Sequence, residues 1–474
     1  MRIVSPLLLI LLALMAWVGD ARLSIIFTLA YLAIALIPWS LGRYLSSFDP
    51  FDPYFGLSVL FLLYSISTLQ FVEQNQISYN LEAVTSSSLV LYVFVCLTGQ
   101  FGLALGYLMV PMYRLHGAQE IGNEKSDARI RLLLGSALIL SILLLPFYIE
   151  RFNFLDAVSY ADFALQSRIM RMADAEAGIK SVFLKDAPLQ IVLCASTLML
   201  FDPKRSMRVK GGAALVLGIY IYTSFLLGAR SQIVLGALLP VMFFHYRVRK
   251  LPMIIVILGG GLTYLMVNAL SVMRSSSDLG VMITLLLENI SDNGLAFIEL
   301  SNSGELATSS NLLTLIMGIS DGRSDFSWGG LFLSQFGAFI PRALWADRPA
   351  MASELFVQRF FPGIYESGGG YGLFFHQEGY WDFGLAGVMI YAVMLGWLTG
   401  WIYANLIIKR PGSFSTLLYS VLYGTLVLGV VRSGLVGSIK GALMTALPLL
   451  VIFFLVKNRK SSIPLSGDLH DHHS

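Results

Sequence analysis

Charge is what this sequence has least of. Only 13% of its 474 residues are Asp, Glu, Lys or Arg, against about 25% in an ordinary soluble domain. With 56% hydrophobic residues and a mean hydropathy of +0.72, the chain spends most of its length in lipid. Cysteine is nearly absent too. Cys96 and Cys194 both fall inside apolar runs, so neither a disulfide framework nor a cysteine-based zinc site follows from them. There is no GxxxxGK[ST] phosphate loop, no HExxH helix and no paired-aspartate metal motif in the long outer segment. No metal and no cofactor is expected; the tail "DLHDHHS" has the residues to bind a metal loosely, but at the cytoplasmic terminus it reads as a solvated end. The net charge of +3 is too small to suggest nucleic-acid binding.

What is present is a succession of long apolar runs. A membrane-crossing helix needs roughly 20 mostly apolar residues. That ruler gives about twelve spans, near 3–19, 22–41, 54–72, 88–112, 131–149, 186–201, 212–228, 231–246, 251–270, 383–406, 415–432 and 440–457. The first lacks a small-x-small cleavage site and another run follows at once, so it reads as an anchor and not a leader. The expected fold is therefore all-α and polytopic. A bundle over 1–270 is followed by a long outer segment over 271–382, the last spans over 383–457 and a tail over 458–474.

Positive charge orients the chain. The short connections at 113–130, 202–211, 247–250 and 407–412 are basic, and with twelve spans they fall on one side together with Lys457, Arg459 and Lys460. Short basic loops stay in the cytoplasm, which puts both termini inside. The outer side keeps 73–87, the 150–185 connection and 271–382. The last two carry basic residues against the trend, among them Arg151, Arg168 and Arg171. Long translocated loops tolerate charge freely, and an anionic ligand is the other explanation.

The outer segment has the texture of a folded cap. Residues 281–300 show helical spacing of apolar residues, suited to an interfacial helix. Residues 328–340 are apolar and dotted with glycine, fit to lie on or dip into the membrane up to Pro341. "ESGGGYG" at 366–372 is too glycine-rich for a regular helix. Between these lies "FIPRALWADRPAM" at 339–351, where Arg342 and Arg348 sit in a proline frame.

Further cations stand at the outer ends of spans: Arg230 in "LLGARSQIVLGA", and Arg432 and Lys440 in "GVVRSGLVGSIKGAL". A charge at mid-membrane costs on the order of 3 kcal/mol, less near an interface. Snorkelling suits Lys440 better than the arginines. Arginine keeps its proton, so a buried one requires an anion, and planar guanidinium groups bind phosphate oxygens in pairs. A lipid phosphate or diphosphate is the anion a membrane offers, and fixed cations can stabilise a diphosphate leaving group without metal.

The order "GARSQI", "FIPRALWADRP", "EGYWDFGLAG", "VVRSGL" resembles the oligosaccharide repeat-unit polymerases of the Wzy-type O-antigen polymerase group. It is most similar to the enterobacterial-common-antigen branch, with its "IP-x-x-LW-x-x-RP" loop. The likeness runs from about the 150–185 loop to the last span. It implies a GT-C-like glycosyltransferase in the bacterial inner membrane with its active site on the periplasmic face. Its substrates would be donor and acceptor oligosaccharides linked to undecaprenyl diphosphate, and its partners the bilayer and a membrane protein that regulates chain length. Arg230, Arg342, Arg348, Arg432 and Lys440 would hold the diphosphate. Glu378 or His376, both in "HQE", would take the acceptor proton. Packing among aromatic residues is the alternative for His376, and shaping the cap is the alternative for Glu378. Ligases of the same donor chemistry and lipid-linked oligosaccharide flippases are the rival readings. A transporter tends to show internal repeats and broken helices at mid-membrane, whereas here the unusual residues gather at outer ends.

Overall fold

The structure, a computed structural model, describes residues 22–41, 49–75, 83–111, 181–226, 230–273, 306–340, 345, 347–366, 370–409 and 412–458, with Gly135 and Thr284 besides. The expected spans at 3–19 and 131–149, the connection at 113–130, most of 150–185, the amphipathic stretch at 281–300, Arg342 and the tail beyond Asn458 lie outside these residues, Gly135 and Thr284 apart.

The described regular structure is helical. In chain order it comprises α1 (Arg22–Ala35), α2 (Pro53–Asn75), α3 (Ser86–Leu108), α4 (Ser181–Phe201), α5 (Met207–Leu226), α6 (Arg230–Arg247), α7 (Met253–Met273), α8 (Ser310–Ser320), α9 (Gly330–Phe336), α10 (Ala352–Phe360), α11 (Phe375–Tyr403), α12 (Ser413–Leu426) and α13 (Val430–Asn458). Helices thus form at each expected span that falls among the described residues. Five stretches there are long and apolar enough to cross a membrane: Leu23–Ser40, Pro53–Asn75, Ser86–Leu108, Phe375–Ile408 and Val430–Val451. The chain is a helical protein with membrane-spanning character.

Local chemistry sets the helix starts. Asp52 precedes Pro53 and accepts the Tyr54 N–H at 2.9 Å, a carboxylate cap with proline in the first helical position. Thr85 caps α3 by accepting the Ser88 N–H at 3.3 Å.

The tightest packing in the bundle is α3 on α11. Its seam is made of small residues. A Cβ on Gly102 would lie 2.9 Å from the Met389 carbonyl, and one on Gly106 or Gly396 would collide with the Val393 or Leu103 backbone. Small residues let backbones approach in lipid, where dispersion and not water expulsion drives association. Contacts along 99–107 and 376–400 rise together in number, so the two helices run parallel.

Helix ends sort into two groups. At one end Asp49 accepts from Tyr246 (2.8 Å) and Tyr403 (2.7 Å), Tyr107 donates to Asp52, and Tyr419 donates to the Phe51 carbonyl at 2.6 Å. At the other end Thr68 meets Ser309 at 2.6 Å, and the starts of α11 and α13 meet each other.

The outer segment contributes to the core itself. After a 3-10 turn (Leu306–Ser309), α8 packs on α3 and α11, with Leu312, Leu313 and Leu315 fully buried. The apolar stretch at 328–340 becomes α9, with Leu331 and Gln335 turned inward and Leu333 and Phe336 outward. Gly370 and Gly372 are non-helical, as the glycine content requires.

Candidate functional site

The site is built around the first two turns of α11. The strand-like stretch before it, 371–374, pairs with the start of α13. Leu373 donates to the Arg432 carbonyl at 2.8 Å, and Gly434 donates back to the Leu373 carbonyl at 3.1 Å. Asn311 of α8 clamps the same stretch by donating to the Gly372 carbonyl at 2.8 Å. Gly434 has φ +66° and ψ −174°, a conformation essentially restricted to glycine. Any Cβ there would also run into the Glu378 carboxylate.

Glu378 is fully buried. One carboxylate oxygen accepts from Gln335 of α9 at 2.5 Å, and the other accepts from the Leu435 N–H, just past the Gly434 kink. A carboxylate at a helix start satisfies amides that have no intrahelical partner and sits favourably in the helix dipole.

Asp382, one turn later and equally buried, does the same for α9. Its Oδ1 accepts from the Ser327 hydroxyl and from the Gly329 and Leu331 amides, both at 3.2 Å. Its Oδ2 accepts from the Phe332 amide at 3.0 Å and the Tyr391 hydroxyl at 2.6 Å. Phe383 and Gly384 then break the helix, Gly384 at φ +60°. The break leaves the Trp381 and Asp382 carbonyls to accept from Ser327 N (2.9 Å) and Trp328 N (3.0 Å).

His376 lies against the helices behind this knot. Its ring is fully buried, edge-on to Phe61 at 4.7 Å and tilted on Phe374 at 4.8 Å. It presses so closely on α3 that a Cβ at Gly99 would overlap it, and neither ring nitrogen has a hydrogen-bond partner. These surroundings are those of the packing alternative.

The cations are placed as follows. Arg432 is exposed, and its own peptide carbonyl is the one bonded to Leu373. Arg348 donates to the Ile340 carbonyl at 3.0 Å. Its segment folds back so that Trp345 and Pro349 lie over Gly337, while Met351 reaches Gly437 of α13. Lys440 is half-buried further along α13. Arg230 begins α6, its side chain outside the described residues, as is Arg342. The structure thus brings Glu378 and the Arg432 backbone into one knot, packs His376 behind it, and brings the Arg348 segment to the helix that carries Arg432.

Sequence reasoning assigned no role to Asp382, Gln335 or Asn311. Asp382 had a signal: an acid four residues after Glu378, in front of an apolar run, needs local compensation. Gln335 and Asn311 had none, since their partners are distant in sequence. Among the described residues no cluster of three or more His, Cys, Asp or Glu could hold a metal ion.

Scans against family models, curated proteins and solved structures find no match for this chain.

Proposed function

We propose that the chain is a membrane glycosyltransferase that joins oligosaccharide repeat units carried on undecaprenyl diphosphate, working at the periplasmic boundary of the bacterial inner membrane. One observation carries the reading. Arg432 stands on the backbone bridge that also delivers Leu435 to Glu378, and α9, which holds the other Glu378 oxygen, leads toward the segment bearing Arg348. The segments bearing Arg432 and Arg348 and the candidate base therefore share a few backbone and side-chain contacts.

In this reading Arg342, Arg348 and Arg432 grip the donor diphosphate, with Arg230 and Lys440 approaching from the membrane side. Paired guanidinium contacts stabilise the charge that grows as the sugar–phosphate bond breaks. An acceptor hydroxyl attacks the donor's anomeric carbon, the undecaprenyl diphosphate leaves with the bonding electrons, and the hydroxyl proton passes to a base. Glu378 is the better candidate, because His376 is boxed by Phe61, Phe374 and Gly99. Glu378 reaches a hydroxyl only when Gln335 releases it, which ties the base to movement of α9. Twelve spans in a GT-C-like arrangement belong to the same proposal.

The test is the surface-polysaccharide ladder of a deletion strain. A single repeat unit on the lipid core supports a polymerase. Loss of all repeats points instead to a ligase or a flippase.

A further inference from the structure

Asp382 accepts five hydrogen bonds, and none of these five donors is a cation. Three come from the turn and first residues of α9 (Gly329, Leu331, Phe332), one from Ser327 and one from Tyr391 across the kink. Helix α9 is only seven residues long. Helices that short are marginal without external support. Its outward face is exposed, Leu333 at 70% and Phe336 at 51%. Leu331 in the core and Phe332 against Tyr391 give α9 a small apolar footing, and its polar anchors are its start, at Asp382, and the Gln335 bond to Glu378.

We propose that Asp382 is a positioning residue. By gathering the free amides at the start of α9, it sets where Gln335 meets Glu378 and where the Arg348-bearing segment returns to α13. Only a carboxylate meets the requirement. Two oxygens offer about four lone-pair sites to the five donors, so the Gly329 and Leu331 amides, both at 3.2 Å, share Oδ1 with the Ser327 hydroxyl. An asparagine would turn an NH2 toward donors that already lack room, and an alanine would leave buried amides unpaired. The kink at Phe383–Gly384 belongs to the same device. It lifts Asp382 out of a continuous helix and opens the Trp381 and Asp382 carbonyls to Ser327 and Trp328. The functional meaning of this placement rests on the glycosyltransferase reading, while the placement itself does not.

The experiment separates the two. Spin labels go on Leu333→Cys of α9 and Ile390→Cys of α11, both exposed; the native Cys96 and Cys194 are buried. The distance between labels is measured in nanodiscs without substrate. With Asp382→Asn the narrow wild-type distribution is expected to broaden and shift. An unchanged distribution overturns the proposal. If that variant fails to accumulate, Ser327→Ala and Tyr391→Phe, each deleting one donor, decide in its place. A smaller shift of the same kind supports the proposal and no shift overturns it. In the same nanodiscs, kcat for a lipid-linked repeat unit is expected to fall about tenfold in Asp382→Asn as the Gln335–Glu378 contact shifts, with a smaller rise in KM from the displaced Arg348 segment. Wild-type protein that binds no undecaprenyl diphosphate ends the glycosyltransferase reading and leaves the label distances to judge Asp382.

Discussion

Glu378 and Asp382 lie one turn apart at the start of α11; the first receives the Leu435 amide just past the Gly434 kink of α13, and the second receives the leading amides of α9. Two buried acids in a membrane protein would normally require two cations. Here backbone and side-chain amides and hydroxyls supply the donors.

The Gly434 position follows directly from that arrangement. Gly434→Ala combines a backbone conformation costing an L-residue about 1–3 kcal/mol with a methyl group driven into Glu378. Its melting temperature in detergent should fall clearly, and polymer should be lost. Gly441→Ala on the same helix, where a Cβ meets nothing within 4 Å, should melt at or above the wild-type temperature. Equal melting of Gly434→Ala and wild type would mean that the kink is not needed.

Glu378→Gln keeps size and one carbonyl oxygen. Leu435 can still donate to that oxygen, and Gln335 can turn its amide to offer its own oxygen to the new NH2. The variant should therefore accumulate and bind lipid-linked donor like wild type while making almost no polymer, because the proton acceptor is gone. Glu378→Ala, which leaves buried donors unpaired at a cost of about 1–3 kcal/mol each, should also melt earlier. Full-length polymer from Glu378→Gln removes Glu378 from the chemistry.

The arginines give the third expectation. Arg342→Ala, Arg348→Ala and Arg432→Ala should each lose polymer while membrane accumulation stays normal. Lysine at 342 should restore only part, since a point charge cannot make the paired contact. Arg230→Ala should behave likewise if that side chain serves the same anion. Long chains from both loop variants, read on the polysaccharide ladder, would leave the diphosphate site without support.

How much of this was legible in the sequence depends on the range of the forces involved. Runs such as 54–72 and 88–112 announced helices, because an uninterrupted apolar stretch of that length has few other uses. Helix α8 did not, since an apolar segment of eleven residues falls short of the membrane ruler and its burial comes from α3 and α11. The backbone bridge between Leu373 and Arg432 was out of reach for the same reason. "EGYWDFG" and "VVRSGL" stood out as chemically unusual, but nothing local says that they touch. The glycines carried the hidden half. Gly434 and Gly99 read as ordinary small residues until the side chains pressed against them, Glu378 and His376, are known.

That last pair separates packing from catalysis at His376. Gly99→Ala places a methyl group in the imidazole ring. The ring has little room to retreat, with Phe61 and Phe374 less than 5 Å away between centroids. Overpacking of this kind costs about 1–3 kcal/mol. His376→Ala alone opens a cavity among those rings, with a cost on the order of 2–5 kcal/mol. In the double variant the new methyl group points into the space the ring has vacated, so the two losses should not add. The coupling is expected to be favourable by about 0.5–3 kcal/mol, as for residues in direct contact, and melting curves of the four proteins measure it. Polymer output then discriminates. If His376 only fills space, the double variant regains polymer along with stability. Recovered stability with no polymer would put the imidazole in the reaction and displace Glu378 as the base.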